Sequence, residues 1–123
     1  MNMTGPTILL LEDQALLSWE IEETFRAAAV GEPVCIPSVS EAASWLTENT
    51  PDVAVLNVQV QDGEATAIAE ALVERGVPFI VHSAYTRRTS SIPQVFRRGT
   101  WVPKLSDPHD LLKAVQTCLS AGN

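Results

Sequence analysis

Four short apolar runs in this 123-residue chain end in groups that could do chemistry. Thr7–Leu11 (TILLL) is followed by Glu12 and Asp13. Val53–Leu56 (VAVL) is followed by the polar stretch from Asn57 to Asp62. Phe79–His82 leads into Ser83, Ala84 and Tyr85, and Thr100–Val102 leads to Lys104. If these runs are neighbouring parallel strands, their carboxyl ends share one edge of a sheet, where such folds bind ligands. Two acids, a polar group, a hydroxyl and an ammonium would then converge on one pocket. Carboxylates gathered there suit a hard cation such as Mg²⁺, which takes oxygen ligands. Ser83 and Lys104 could hold phosphoryl oxygens beside it.

Other chemistries find less support. His82 and His109 are the only histidines, and neither has a serine or cysteine nucleophile at hand, so a hydrolase triad is not expected. Phosphate loops of the G-x-G-x-x-G or G-x-x-x-x-G-K type are absent. Asp52 starts its strand and so belongs to the opposite end of the sheet. Asp62-Gly63 reads as a turn and a cap for the helix that follows. Asp13 could likewise cap a helix beginning at Gln14.

The elements that must position the pocket residues are legible in the pattern. Leu17, Ile21, Phe25 and Ala28 recur at helical spacing within Gln14–Ala29, and Gly31 suits a left-handed helix end. A brief strand, Val34–Ile36, lies between Pro33 and Pro37. S-V-S-E at 38–41 is a capping box, and Val39, Ala42, Ala43 and Leu46 share a helix face. Ala65, Ile68, Ala69, Leu72 and Val73 mark a third helix closed by Gly76. Thr86–Ile92 has no apolar period and is expected to be the least ordered internal stretch. Pro93 suits the first turn of a short helix ending near Gly99. Ser106 or Asp107 caps a last helix whose inner face is Leu111, Leu112, Val115, Cys118 and Leu119. Five strands alternating with five helical segments predict an α/β doubly wound (βα)5 sandwich around a five-stranded parallel sheet.

Length and composition fit one soluble domain spanning 1–123, with residues 1–6 a flexible lead and no output domain. No apolar run is long enough to span a membrane, and no N-terminal run has the pattern of a signal peptide. Cys35 and Cys118 sit far apart in apolar stretches, as expected of reduced core thiols in a cytoplasmic protein. A net charge of −7 argues against nucleic-acid binding. The charge is uneven: residues 87–123 hold six of the eight lysines and arginines. Arg97, Arg98 and Lys113 therefore form a candidate partner surface. Trp19 falls off the inner stripe of its helix and is a second candidate contact.

The stretches ILLLEDQALL, DVAVLNVQVQDG, VPFIVHSAY and WVPK, in this order and spacing, resemble the bacterial response-regulator receiver family over essentially the whole chain. The stretch PFIVHSAY looks like a branch rich in short, single-domain regulators. The resemblance implies a flavodoxin-like sheet in the order 2-1-3-4-5. It assigns Glu12 and Asp13 to Mg²⁺ binding, Asn57 to the phospho-acceptor position, and the backbone carbonyl of Gln59 to the metal. It assigns Ser83, Ala84 and Lys104 to phosphoryl contacts and Trp101 to the switch aromatic, with Tyr85 as the alternative mobile aromatic.

Two departures stand out. Asn57 offers an uncharged amide where the family has aspartate, so phosphorylation there is not expected and the Mg²⁺ site is weakened. Leu105 replaces the usual proline after the lysine; a cis bond there would cost about 2.5–4 kcal/mol, so Lys104–Leu105 should be trans. The implied role is non-enzymatic: an atypical receiver in a two-component or phosphorelay pathway, touching a histidine kinase, a phosphotransfer protein, another regulator or a second copy of itself. A non-switching scaffold or dimerisation module is the alternative. A small flavodoxin-like enzyme or nucleotide-binding protein stands behind both.

Overall fold

The fold is built from a computed structural model that describes residues 5–83, 92–104 and 107–121. Strand β1 (Thr7–Leu11) leads to helix α1 (Ala15–Ala27), strand β2 (Glu32–Ile36), helix α2 (Val39–Leu46) and strand β3 (Val53–Leu56). A small hairpin follows, made of β4 (Gln59–Val60) and β5 (Gly63–Glu64). Helix α3 (Thr66–Glu74), strand β6 (Phe79–Ser83), a 3₁₀ turn (Gln94–Arg98), strand β7 (Thr100–Pro103) and helix α4 (Pro108–Ala121) complete the chain. The main sheet is parallel, in the order β2-β1-β3-β6-β7. With the hairpin set aside, this is the 2-1-3-4-5 order expected from the resemblance.

Alternate residues of each central strand face opposite layers, which explains why the strands read as unbroken apolar runs. Leu9, Leu11, Ala54, Leu56, Phe79 and Val81 pack with α2, α3 and the 3₁₀ turn. Ile8, Leu10, Val53, Val55 and Ile80 pack with α1 and α4 through Ile21, Phe25, Leu111 and Val115. Both layers bury their central side chains completely or nearly so.

Several local expectations change. The left-handed residue after α1 is Ala29 (φ 54°) rather than Gly31. Gly31 is required for space instead: a Cβ there would lie 2.5 Å from the Pro6 carbonyl oxygen. Strand β2 begins at Glu32 and so contains Pro33, which it tolerates because β2 is an edge strand whose outer side needs no N–H. Ala28 and Ala43 are exposed, not core. The helix near Pro93 is a single 3₁₀ turn, with Pro93 outside it. Ser38 does cap α2: its hydroxyl accepts from Glu41 N at 3.2 Å and donates to the Glu41 carboxylate at 3.0 Å. Asp107 caps α4 through His109 N at 2.8 Å. Residues 1–4 of the expected flexible lead, Thr86 to Ser91 of the expected loose stretch, Ala84, Tyr85 and the Leu105 side of the Lys104 peptide lie outside the described residues. Ile92, at the end of that stretch, is buried.

Candidate functional site

The carboxyl edge of the sheet gathers the expected groups. The Glu12 backbone is held by β2 through Ile36 O at 3.1 Å, and Asn57 N donates to Leu11 O at 3.2 Å, which ties the ends of β1 and β3. Lys104 N donates to Ser83 O at 3.2 Å and ties β6 to β7 in the same way. Glu12, Asn57 and Ser83 are all buried, at 3%, 8% and 1% exposure. Lys104 reaches back across this edge: its Nζ lies 3.4 Å from Glu12 Oε1 and 3.4 Å from Gln14 Oε1. The second Glu12 oxygen accepts from Gln14 N at 3.0 Å. Asp13 is half-buried beside them. Asp52 lies at the other end of the sheet, where its carboxylate accepts from Thr7 N at 2.7 Å.

Solved structures with the same architecture include response-regulator receivers. The receiver domain of the Francisella response regulator 1452 superposes with a TM-score of 0.81 at 17% identity, covering 97% of this chain and 100% of that one. The chain has the receiver fold. The signal receiver domain of a LuxO repressor protein from Vibrio parahaemolyticus matches with a TM-score of 0.82 at 14% identity, over 96% of this chain and 92% of that one. The response regulator TrrA from Thermotoga maritima, solved in complex with Mg²⁺ and BeF, matches at 0.80 and 16% identity, over 93% and 99%. No family model and no curated protein sequence matches the chain.

Within the receiver fold, the donor set does not make a complete Mg²⁺ site. Among the described residues no group of three or more histidines, cysteines, aspartates or glutamates is placed to hold a metal. Position 57 supplies a neutral amide, and both oxygens of Glu12 already have partners in Lys104 and Gln14. Mg²⁺ holds its ligands in near-ideal octahedral geometry and gives up water reluctantly.

Of the other expected residues, Gln59 lies in β4 with an exposed side chain. Trp101 is half-buried against the α2–α3 layer, and its indole N–H donates to Phe96 O at 2.9 Å. The Trp101 ring is thus pinned inward by the 3₁₀ turn. Trp19 is 59% exposed on α1, and Leu16, which the pattern did not single out, is 79% exposed one turn before it. Arg97 and Arg98 wall a groove of about 640 Å³ between α3 and the 3₁₀ turn, and Glu70 and Glu74 form its other wall. Lys113 is exposed on α4 and does not line that groove. The basic face is therefore interrupted by acids, because the fold folds the acidic α3 against the basic turn.

Asp62 corrects an expectation. It caps α2, not α3, by accepting from Val39 N at 2.8 Å and Ser40 N at 3.0 Å. These backbone donors hold its carboxyl below the ordinary carboxylate range. The β4–β5 hairpin turns at Gln61-Asp62 and carries this cap across to α2.

Two site residues escaped the sequence reading. Gln14 contributes both a backbone donor and a side-chain acceptor to the Glu12–Lys104 pair; its place directly after the acid pair was the available signal. His82 is buried on the α1–α4 side, and among the described residues its Nδ1 has no hydrogen-bond partner. It lines a cavity of about 180 Å³ with Leu17, Ile21, Lys104 and Leu111. Burial, and then the charge of Lys104, push its pKa down to about 4, so the ring is neutral near pH 7. Cys35 and Cys118 are both free and half-buried. Burial pushes the Cys35 thiol up to about 12 and raises that of Cys118, which leaves both unreactive near neutral pH.

Proposed function

We propose that the chain acts as an atypical response-regulator receiver in a two-component or phosphorelay pathway, signalling by protein contact without phosphorylation at position 57. The observation that carries this reading is the convergence of Glu12, Asn57, Ser83 and Lys104 on one edge of a receiver-type sheet, with an amide at the acceptor position. Phosphoryl transfer needs a nucleophilic oxygen held in line while cations neutralise the developing charge. Asn57 has no such group, since its amide oxygen is uncharged and its nitrogen lone pair is delocalised. Mg²⁺ binding, through Glu12, Asp13, the Asn57 side chain and the Gln59 carbonyl, is weak for the same reason. Ser83, Ala84 and Lys104 keep the phosphoryl-contact positions, and Trp101 or Tyr85 the switch position. The domain has no catalytic role of its own in this reading.

The partner is a histidine kinase, a phosphotransfer protein or another regulator, met in the cytoplasm. Exposed Leu16 and Trp19 on α1 supply an apolar contact, and Arg97, Arg98 and Lys113 supply charge for steering. A constitutive scaffold or homodimerisation module is favoured over a switch by one observation: Glu12 and Lys104 already satisfy each other.

Intact-mass measurement after incubation with acetyl phosphate and Mg²⁺ tests the reading. The chain as it stands should gain no phosphoryl adduct, and Asn57→Asp should gain one. An adduct on the unaltered chain, mapped to Asp13 or Asp62, would overturn the inactive-acceptor assignment. An Asn57→Asp form that neither gains an adduct nor binds Mg²⁺ more tightly would overturn the receiver-pocket assignment.

A further inference from the structure

We infer that the ammonium of Lys104 is the resident cation of this pocket, neutralising Glu12 so that no divalent ion is needed to keep the buried carboxylate in place. The inference rests on the pocket assignment above and concerns what balances its charge. The Glu12 side chain is 1% exposed, and a carboxylate that deep must be paired or hydrogen-bonded. Lys104 Nζ sits 3.4 Å from Oε1, and Gln14 N satisfies Oε2 at 3.0 Å. The same Nζ lies 3.4 Å from Gln14 Oε1, so Gln14 closes the arrangement from both its backbone and its side chain.

An aspartate at position 57 would compete for the ammonium. Asn57 cannot, because it carries no charge, and Lys104 is left to Glu12. Among the described residues, the Glu12 carboxylate is matched by this one ammonium, which leaves little net charge at that oxygen. A Mg²⁺ ion entering the pocket would meet a fixed positive charge at the oxygen it needs, in a site where water screens little. The ion pair also joins the end of β7 to the start of the loop after β1. It therefore fastens the two sides of the pocket to each other.

Removing the ammonium while keeping Asn57 should open the site to a divalent ion. Mg²⁺ is titrated calorimetrically into the unaltered chain, Lys104→Met and Lys104→Gln. The unaltered chain should show no saturable binding up to about 10 mM, and the variants should bind at least about tenfold more tightly. Equal affinity in all three would overturn the inference. A second measurement needs no variant at position 104: the Lys104 ammonium should give a slowly exchanging ¹H–¹⁵N resonance that is lost in Glu12→Gln and is unmoved by Mg²⁺. A resonance indifferent to Glu12, or displaced by Mg²⁺, would equally overturn it. The two readings fail separately. If Lys104→Met gains Mg²⁺ while the unaltered chain takes a phosphoryl group at Asp13 or Asp62, the resident cation stands and the inactive-acceptor reading falls.

Discussion

Replacing His82 by leucine should stabilise the protein, and more so as the pH falls. His82 is 5% exposed, stands near the end of β6, and buries Nδ1 with no partner among the described residues. An unsatisfied buried polar atom costs about 1–3 kcal/mol, which an apolar side chain of similar size does not incur. Near pH 7 the leucine form should therefore be more stable by about 1 kcal/mol, after allowance for imperfect packing. The pH dependence is the stronger test. Burial and Lys104 lower the folded-state pKa from 6.5 to about 4. Between those values the unfolded chain binds more protons at this position than the folded one, so the His82 protein loses stability as the pH falls through that window. The loss attributable to His82 is about 2 kcal/mol from pH 7 to pH 5, growing to about 3 kcal/mol by pH 4. Urea unfolding of both forms at pH 7 and pH 5 isolates it, because the other titrating groups cancel in the difference. A leucine form whose advantage is the same at both pH values would refute the buried, neutral histidine.

Other perturbations test the remaining parts of the structure. Gly99→Ala should destabilise by about 1–3 kcal/mol in denaturant unfolding, because a Cβ would lie 2.5 Å from the Phe79 ring and 2.9 Å from its carbonyl oxygen. On α1, Leu16→Ala with Trp19→Ala should change unfolding free energy by no more than about 0.5 kcal/mol, whereas Ile21→Ala should cost about 2–5 kcal/mol. A large loss from the exposed pair would show that it packs inward. Asp62→Asn should loosen the start of α2, seen as faster amide exchange at Val39 and Ser40. Its carboxyl is held low by those amides, so their protection, taken relative to the intrinsic exchange rate at each pH, should fall in the unaltered chain as the pH falls through the lowered Asp62 pKa.

The sequence by itself determined the alternation of strands and helices, since unbroken apolar runs such as TILLL and VAVL leave little choice but strands covered on both faces. It also determined which residues follow each strand, and with them the chemistry available at one edge: Glu12, Asp13, Asn57, Ser83 and Lys104. Strand order was legible only through resemblance, because local patterns carry no record of which strand pairs with which. Partner choice among side chains was not legible at all. Asp62 lies four residues before the start of α3, yet it caps α2, 22 and 23 residues away, because the β4–β5 hairpin carries it there. Lys104 meets Glu12 and Gln14 from the far end of the chain, and Trp101 donates its indole hydrogen bond to a 3₁₀ turn. His82 looked like the polar end of a strand, and only the packing of α1 and α4 over that face left its ring buried, with Nδ1 unsatisfied among the described residues. Periodicity is a property of neighbours along the chain, whereas pairing, desolvation and charge balance depend on distances that exist only once the two layers close over the sheet.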